Sequence, residues 1–170
     1  ANHPELEVPF TKVDLENFGE AIESVSEIDD RINGIDAIIH QAAIPAPGLE
    51  TNHKTFRINT LSTYNIFQAA KVLKINNIVW ASSETVLGLP FDKYPPYVPV
   101  DEEYHPRPES SYSLSKVMGE EMARQYCRRN PDMKIFGLRY SNIMEEHDYK
   151  QFQSFQNDPF KRKWNFWGYI

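Results

Sequence analysis

The five residues Asp36-Ala37-Ile38-Ile39-His40 give the strongest indication of architecture in this sequence. They form a short apolar run of the kind found in strands that are covered on both faces, so we interpret them as a central strand of a parallel sheet. Two similar runs follow, Ile78-Val79-Trp80-Ala81 and Lys134-Ile135-Phe136-Gly137-Leu138-Arg139. Between them lie long segments, and these carry a different pattern.

The segments between the strands predict two long helices, residues 55–73 and about 110–129, from apolar residues at three- and four-residue steps. The second helix has one apolar stripe and one stripe of mainly small residues. The apolar stripe is Leu114, Met118, Met122 and Tyr126, and the other is Tyr112, Lys116, Gly119, Ala123 and Cys127. The alternation of strands and helices predicts an α/β fold with a parallel sheet and right-handed crossovers.

Two further segments flank this pattern. Residues 8–13 alternate enough to predict a strand, and Asp14 follows as a possible N-cap for a helix through Leu15 to Val25. Residues 90–108 contain six prolines, which predicts an extended loop rather than a helix or strand. A loop of this length inside a compact domain is usually functional.

Ligands of parallel sheets bind where the strands end. This rule selects one cluster after each predicted strand: Asp14, residues 40–43, residues 82–85 and residues 140–142. Tyr112 and Lys116 open a helix near the same edge, one turn apart on one face. A lysine charge beside a phenol favours the phenolate, so we expect the pKa of Tyr112 to fall toward the working range.

The composition excludes several classes of function. A net charge of −6 without a basic run argues against a nucleic-acid partner, and we expect a small-molecule partner instead. The single cysteine, Cys127, excludes an internal disulfide and a cysteine-rich metal site, and it fits a cytoplasmic protein. His40 has no metal-ligand partner at motif spacing, so we interpret it as structural and expect no metal. No apolar run approaches the ~20 residues of a membrane span, and the first residues lack the features of a signal peptide.

The ordered set of these motifs resembles the extended short-chain dehydrogenase/reductase family of NAD(P)-dependent sugar epimerases, dehydratases and dehydrogenases. The resemblance covers about residues 8–142. The matching stretches, in the family's order, are Val13-Asp14-Leu15, Ile39-His40-Gln41-Ala42-Ala43, Asn59-Thr60, Thr63-Tyr64-Asn65, Ala81-Ser82-Ser83-Glu84-Thr85-Val86-Leu87-Gly88, the pair Tyr112 and Lys116, and Arg139-Tyr140-Ser141-Asn142. The resemblance implies a partial Rossmann-like parallel sheet flanked by helices, with NAD or NADP as cofactor.

The resemblance also implies a catalytic Ser-Tyr-Lys site. Ser83 would hydrogen-bond the reacting oxygen, Tyr112 would move its proton, and Lys116 would lower the pKa of the tyrosine and bind the nicotinamide ribose. The implied cofactor-binding residues are Asp14, Leu15, Ala42, Ala43, Asn59, Ser82, Tyr112, Lys116, Ser141 and Asn142. Simpler interpretations stay open for three positions: a helix cap at Asp14, a helix-to-loop hydrogen bond at Asn59 and a plain strand end at Ser83.

Three features depart from the family's pattern. The seven glycines are scattered, so the glycine-rich turn that cradles the pyrophosphate is missing. Most of the substrate-binding part is also missing. We therefore expect an internal fragment or truncated product, with residues 1–144 as a partial dinucleotide-binding domain and 145–170 as the start of the substrate-binding region. Glu84-Thr85 replace the acidic pair of the dehydratases, which disfavours water elimination.

Two structural expectations follow from the missing strands and the helix surfaces. Strand 8–13 lacks its usual neighbour, so it either pairs with another chain or leaves the sheet. We also expect a homodimer through helices 55–73 and 110–129, because the second helix has a spare face of small residues.

The functional expectation is an oxidoreductase-type enzyme acting on a sugar or nucleotide-sugar by epimerisation or dehydrogenation. The sequence does not distinguish NAD from NADP. A dehydrogenase of a free uronic acid or similar sugar, and a truncated, inactive remnant or binding module, are the alternatives.

Overall fold

The structure is a computed structural model and describes residues 10–26 and 34–166. Three strands alternate with helices, as the sequence pattern predicts. The strands are β1 (Ala37–His40), β2 (Asn77–Ala81) and β3 (Lys134–Leu138). The helices are α1 (Phe18–Ser24), α2 (Asn52–Leu73), α3 (Ser111–Arg129), α4 (Phe152–Phe155) and α5 (Pro159–Phe166), and 3-10 helices span Glu84–Leu87 and Glu146–Gln151.

The three strands form one parallel sheet in the order β1-β2-β3. Ile38 pairs with Ile78, and Ile78 pairs with Ile135, so the strands are in register along their whole length. The prediction of an α/β fold with a parallel sheet and flanking helices is confirmed. Residues 88–109 contain no helix or strand, which confirms the predicted proline-rich loop.

The core lies between the sheet and the pair α2 and α3. Ile78 and Trp80 are almost fully buried there, and Phe67 of α2 packs edge-on against the Trp80 ring at a centroid distance of 6.2 Å. A Cβ at Gly119 of α3 would lie 2.4 Å from Cζ2 of Trp80. The stripe of small residues on α3 therefore packs on the sheet, and the prediction that this face is spare is wrong. The close approach of the indole requires the small residue.

The opposite face of the sheet is open in the described residues. Ile39 is 70% exposed and Phe136 is 56% exposed. The prediction that residues 36–40 form a strand covered on both faces is therefore wrong for the part of the chain that the structure describes. The physical reason is that α2 and α3 both pack on the face of Ile38 and Trp80.

The N-terminal segment also differs from the prediction. Helix α1 begins at Phe18 because the Asn17 side chain caps it, accepting the amide of Gly19 at 2.9 Å. The Asp14 side chain instead accepts the amide of Glu16 at 2.9 Å in the preceding turn, so it is not the N-cap. Residues 10–13 belong to no strand, which corrects the predicted strand there, because they have no strand beside them to pair with; residues 8 and 9 lie outside the described residues.

Candidate active site

A cavity of about 590 Å³ lies where the three strands end. Each strand is followed by residues that line it, and the start of α3 contributes two more. Among the predicted site residues, the cavity brings together Ala43, Ser82, Ser83, Tyr112, Lys116, Ser141 and Asn142. The common edge of a parallel sheet gathers these residues although they are up to 99 positions apart in the sequence, from Ala43 to Asn142.

Tyr112 and Lys116 lie in the first two turns of α3, which begins after Ser110 caps the amide of Ser113. Both side chains are buried, with exposed fractions of 8% and 4%. The Lys116 ammonium donates to the carbonyl of Ala81 at 2.7 Å. It lies 5.6 Å from the centroid of the Tyr112 ring, so it contacts the ring face in a cation–π arrangement.

Burial changes the acidity of both groups. It raises the pKa of Tyr112, an effect that a side-chain hydrogen bond from Ser83 partly offsets. It lowers the pKa of Lys116 to about 8, because the charged ammonium loses solvation. The expected fall of the pKa of Tyr112 is therefore wrong in this structure. The ammonium is directed at the Ala81 carbonyl and the ring face, and desolvation of the phenolate dominates.

Ser83 is the residue before the 3-10 helix Glu84–Leu87 and caps its first turn. Its hydroxyl oxygen accepts the amide of Thr85 at 3.2 Å and lies 3.0 Å from the Thr85 hydroxyl. These contacts hold the Ser83 hydroxyl against Thr85.

Ser82 belongs to a cluster that the sequence analysis missed. Its hydroxyl donates to Oε1 of Glu120 at 2.7 Å, and Arg139 binds both carboxylate oxygens of Glu120 at 2.8 Å each. Burial alone would raise the pKa of Glu120, but the hydrogen bonds from Arg139 and Ser82, with the charges of Arg139 and Arg124, hold it below its ordinary value. Glu120 lies four residues after Lys116, and this helical spacing is the signal that could have found it.

Four predicted cofactor-binding residues do not line the cavity. Asp14 and Ala42 are exposed, and Leu15 is half-buried against the core. The Asn59 side chain accepts the amide of Ile44 at 2.8 Å and donates to the carbonyl of Ile44 at 3.1 Å. Asn59 therefore anchors the loop after β1 to α2, as the simpler interpretation held, and its direct contact with a cofactor stays a prediction.

His40 is buried at the end of β1, 3.4 Å from the hydroxyl of Thr63. Burial, helped by the charge of Lys116, lowers the pKa of His40 to about 4. Within residues 10–26 and 34–166, no group of three His, Cys, Asp or Glu side chains is placed to hold a metal ion.

Further lining residues were not predicted as cofactor-binding. They are Gln41, Pro45, Ala46, Pro47, Ala81, Glu84, Thr85, Tyr140 and Ile143. Burial raises the pKa of Glu84, and the nearby Ser141 hydroxyl partly offsets this. That hydroxyl is buried and has no hydrogen-bond partner of normal geometry in the described structure.

Comparison with known proteins gives consistent matches. The model of the NAD dependent epimerase/dehydratase family matches residues 2–157. A UDP-glucose 4-epimerase of Erwinia amylovora is 31% identical over 119 residues, which cover 67% of this chain and 33% of that protein. An L-arabinose 1-dehydrogenase (NAD(P)(+)) of Haloferax volcanii is 27% identical over 154 residues, which cover 84% of this chain and 60% of that protein.

Among solved structures, the glucuronic acid dehydrogenase of Chromohalobacter salexigens is similar with a TM-score of 0.70 and 25% identity. The similarity covers 85% of this chain and 50% of that chain. The chain thus spans between a third and three fifths of the length of these relatives. In the described part of the chain, no helix is both long and apolar enough to cross a membrane.

Proposed function

Because the chain belongs to the NAD dependent epimerase/dehydratase family, we propose that it carries the Ser-Tyr-Lys site of an NAD-dependent enzyme acting on a sugar or nucleotide-sugar. The observation that carries this proposal is that Ser83, Tyr112 and Lys116 line one shared cavity. A serine, a phenol and a lysine at one sheet edge can bind an alcohol oxygen and move its proton.

Each residue has a distinct role in this proposal. Ser83 hydrogen-bonds the hydroxyl or carbonyl oxygen of the sugar, and Tyr112 gives or takes the proton of that oxygen. Lys116 lies over the ring of Tyr112 and is anchored on the Ala81 carbonyl at 2.7 Å. Since burial raises the pKa of Tyr112, the phenol is protonated at neutral pH and is ready to donate. Accepting a proton requires further positive charge in the cavity, which favours the phenolate.

The residues at the cavity fit a dinucleotide. A nicotinamide or its ribose would meet polar groups at Ser141 and Asn142 and an apolar contact at Ala43, all of which line the cavity. The Ser141 hydroxyl is buried and has no hydrogen-bond partner of regular geometry. Lys116 would bind the ribose hydroxyls. When bound, the nicotinamide supplies hydride exchange with a substrate carbon. Asp14, Leu15, Ala42 and Asn59 stay proposed as more distant supports of the same cofactor, with residues 1–144 as the dinucleotide-binding part and 145–170 as the start of the substrate-binding region.

A second candidate function is simple dehydrogenation of a free sugar. The similarity to the arabinose and glucuronic acid dehydrogenases, which extends over half or more of their length, favours it. Both candidates use the same three residues. They differ in where the hydride ends, since an epimerase returns it to the sugar and a dehydrogenase leaves it on the cofactor.

The proposal is tested by measuring NAD binding calorimetrically and turnover of UDP-glucose and free aldoses, for the wild type and Tyr112→Phe. We expect the variant to bind NAD within about threefold of the wild type and to lose turnover about 10²–10⁴-fold. Tyr94→Phe is the control, because Tyr94 is 91% exposed and does not line the cavity. Undiminished turnover in Tyr112→Phe removes the phenol from the mechanism, and failure to bind NAD supports the inactive remnant.

We also propose a homodimer through α2 and α3. Apolar residues on both helices are exposed, namely Leu61 and Tyr64 on α2 and Leu114 and Met118 on α3, with exposed fractions of 37% to 43%. Leu114→Glu with Met118→Glu should convert the dimer to a monomer in sedimentation velocity. A wild type that sediments as a monomer at high concentration contradicts this. The cytoplasm stays the proposed location, since Cys127 is the only cysteine.

A further inference from the structure

Among the described residues that line the cavity two are charged, Glu84 and Lys116. The Lys116 ammonium is held by the Ala81 carbonyl at 2.7 Å and by the faces of two aromatic rings. Glu84 follows Ser83 directly and is half-buried. Glu84 therefore shares one cavity with Ser83 and Tyr112, the residues that we propose hold the sugar.

The backbone fixes the position of Glu84 at this edge. Its amide donates to the carbonyl of Tyr140 at 2.9 Å, which joins the end of β2 to the end of β3. Its side chain lies near Ser141, another lining residue. Burial already disfavours a negative charge at Glu84, so a second negative charge in the same cavity meets both poor solvation and repulsion.

Building on the proposed function, we propose that Glu84 is a specificity-determining residue that selects sugars with a neutral ring over sugars whose ring carries a carboxylate. A neutral ring offers hydroxyl donors, and these form charge-assisted hydrogen bonds with a carboxylate. A uronate ring offers a like charge instead. Lys116 is the one cation in the described lining of the cavity, and because Glu84→Gln leaves it in place, its attraction for a uronate cancels when the two proteins are compared.

The size of the effect follows from Coulomb's law. Two unit charges about 6 Å apart in a medium of effective dielectric constant about 20 repel enough for a discrimination of roughly 100-fold. Glu84 is only half-buried, and salt in the open cavity screens the charges. We therefore expect Glu84 to supply about tenfold of discrimination against a uronate ring.

The test measures dissociation constants at pH 8 with saturating NAD for two matched pairs of probes. The first pair is D-glucose with D-glucuronate, and the second is UDP-glucose with UDP-glucuronate. Within the second pair, the contribution of the nucleotide to the dissociation constants cancels in their ratio. Glu84→Gln keeps the shape and removes the charge, and we expect it to lower the uronate-to-neutral ratio of dissociation constants about tenfold. Glu23→Gln is the matched control, because this substitution removes the same net charge at a residue that is exposed on α1 and does not line the cavity.

The outcomes separate this proposal from the proposed function. A ratio that Glu84→Gln leaves unchanged in both pairs, a ratio that Glu23→Gln changes equally, or binding of neither pair overturns the role of Glu84. NAD-dependent turnover with an unchanged ratio rejects the role of Glu84 and keeps the enzyme. A tenfold change in the ratio without any NAD-dependent turnover keeps the role of Glu84 in binding and rejects the enzyme.

Discussion

Replacing Gly119 with alanine tests how closely α3 is packed against the sheet. A Cβ at Gly119 would lie 2.4 Å from Cζ2 and 2.5 Å from Cη2 of Trp80, well inside contact distance. The indole has little room to move. Trp80 is 1% exposed, Phe67 packs edge-on against it at a centroid distance of 6.2 Å, and a Cβ at Gly137 would be 3.4 Å from its Cε3. The extra methyl must therefore displace α3 or the ring.

The expected loss of stability combines two opposing effects. Overpacking of a well-filled core costs about 1–3 kcal/mol, and the 2.4 Å overlap at Gly119 places this case at or above the upper end. Alanine is a better helix former than glycine, which returns about 1 kcal/mol. We expect a net loss of about 2 kcal/mol, which lowers the Tm of a protein of this size by about 4–8 °C.

The assay is urea and thermal unfolding followed by far-ultraviolet circular dichroism. Gly137→Ala is the control, because its Cβ meets the same indole at an ordinary 3.4 Å, and we expect it to change stability by less than about 1 kcal/mol. A Gly119→Ala variant as stable as the wild type, or one indistinguishable from Gly137→Ala, would refute the tight packing of Trp80.

Three further substitutions probe the polar contacts. Glu120→Gln should lose about 1–2 kcal/mol at pH 7, because Arg139 loses its charged partner. The pKa of Glu120 is lower in the folded protein than in the unfolded chain, so the wild type has its full excess of stability over Glu120→Gln above about pH 4.5. This excess is lost as the pH falls through the pKa of Glu120 in the folded protein. A difference in stability that stays unchanged in acid contradicts this. Burial lowers the pKa of Lys116 from 10.5 to about 8, so this side chain binds a proton more tightly in the unfolded chain than in the folded protein. The wild type should therefore gain stability relative to Lys116→Met as the pH rises from about 8 to 10.5. A difference in Tm between the two proteins that stays constant over this range contradicts the prediction. Asn59→Asp keeps the acceptor for the amide of Ile44 but loses the donor to the carbonyl of Ile44. We therefore expect a loss of about 1–2 kcal/mol of stability and faster proteolysis of the loop after β1. Cleavage of this loop at the wild-type rate argues against the anchor.

Local patterns in the sequence predicted the regular elements of the fold closely. The strand predicted at residues 134–139 is observed at Lys134–Leu138, and the helix predicted at about 110–129 is observed at Ser111–Arg129. These elements are set by short-range signals, such as the cap at Ser110 and the break at Pro131. The predicted strand at residues 8–13 failed in its described part, because a strand needs a partner and its own residues do not specify one.

The chemistry of the site was less predictable than its location. The rule that ligands bind at strand ends selected Ser83 and Ser141 from the sequence, and both line the cavity. The spacing of Tyr112 and Lys116 on the helix was also evident, but the direction of the ammonium was not. Its contact with the Ala81 carbonyl comes from another strand, and the burial that lowers the pKa of Lys116 depends on the whole core.

One carboxylate connects the three elements that carry the site. Glu120 accepts from Ser82 at the end of β2 and from Arg139 at the end of β3, and it lies on α3 one turn beyond Lys116. Ser82 precedes Ser83, so the same carboxylate fixes the strand end that presents the serine and the helix that presents the lysine and the phenol. Because no local pattern brings these elements together, the relative positions of Ser83, Tyr112 and Lys116 rest on a charged contact outside these three residues.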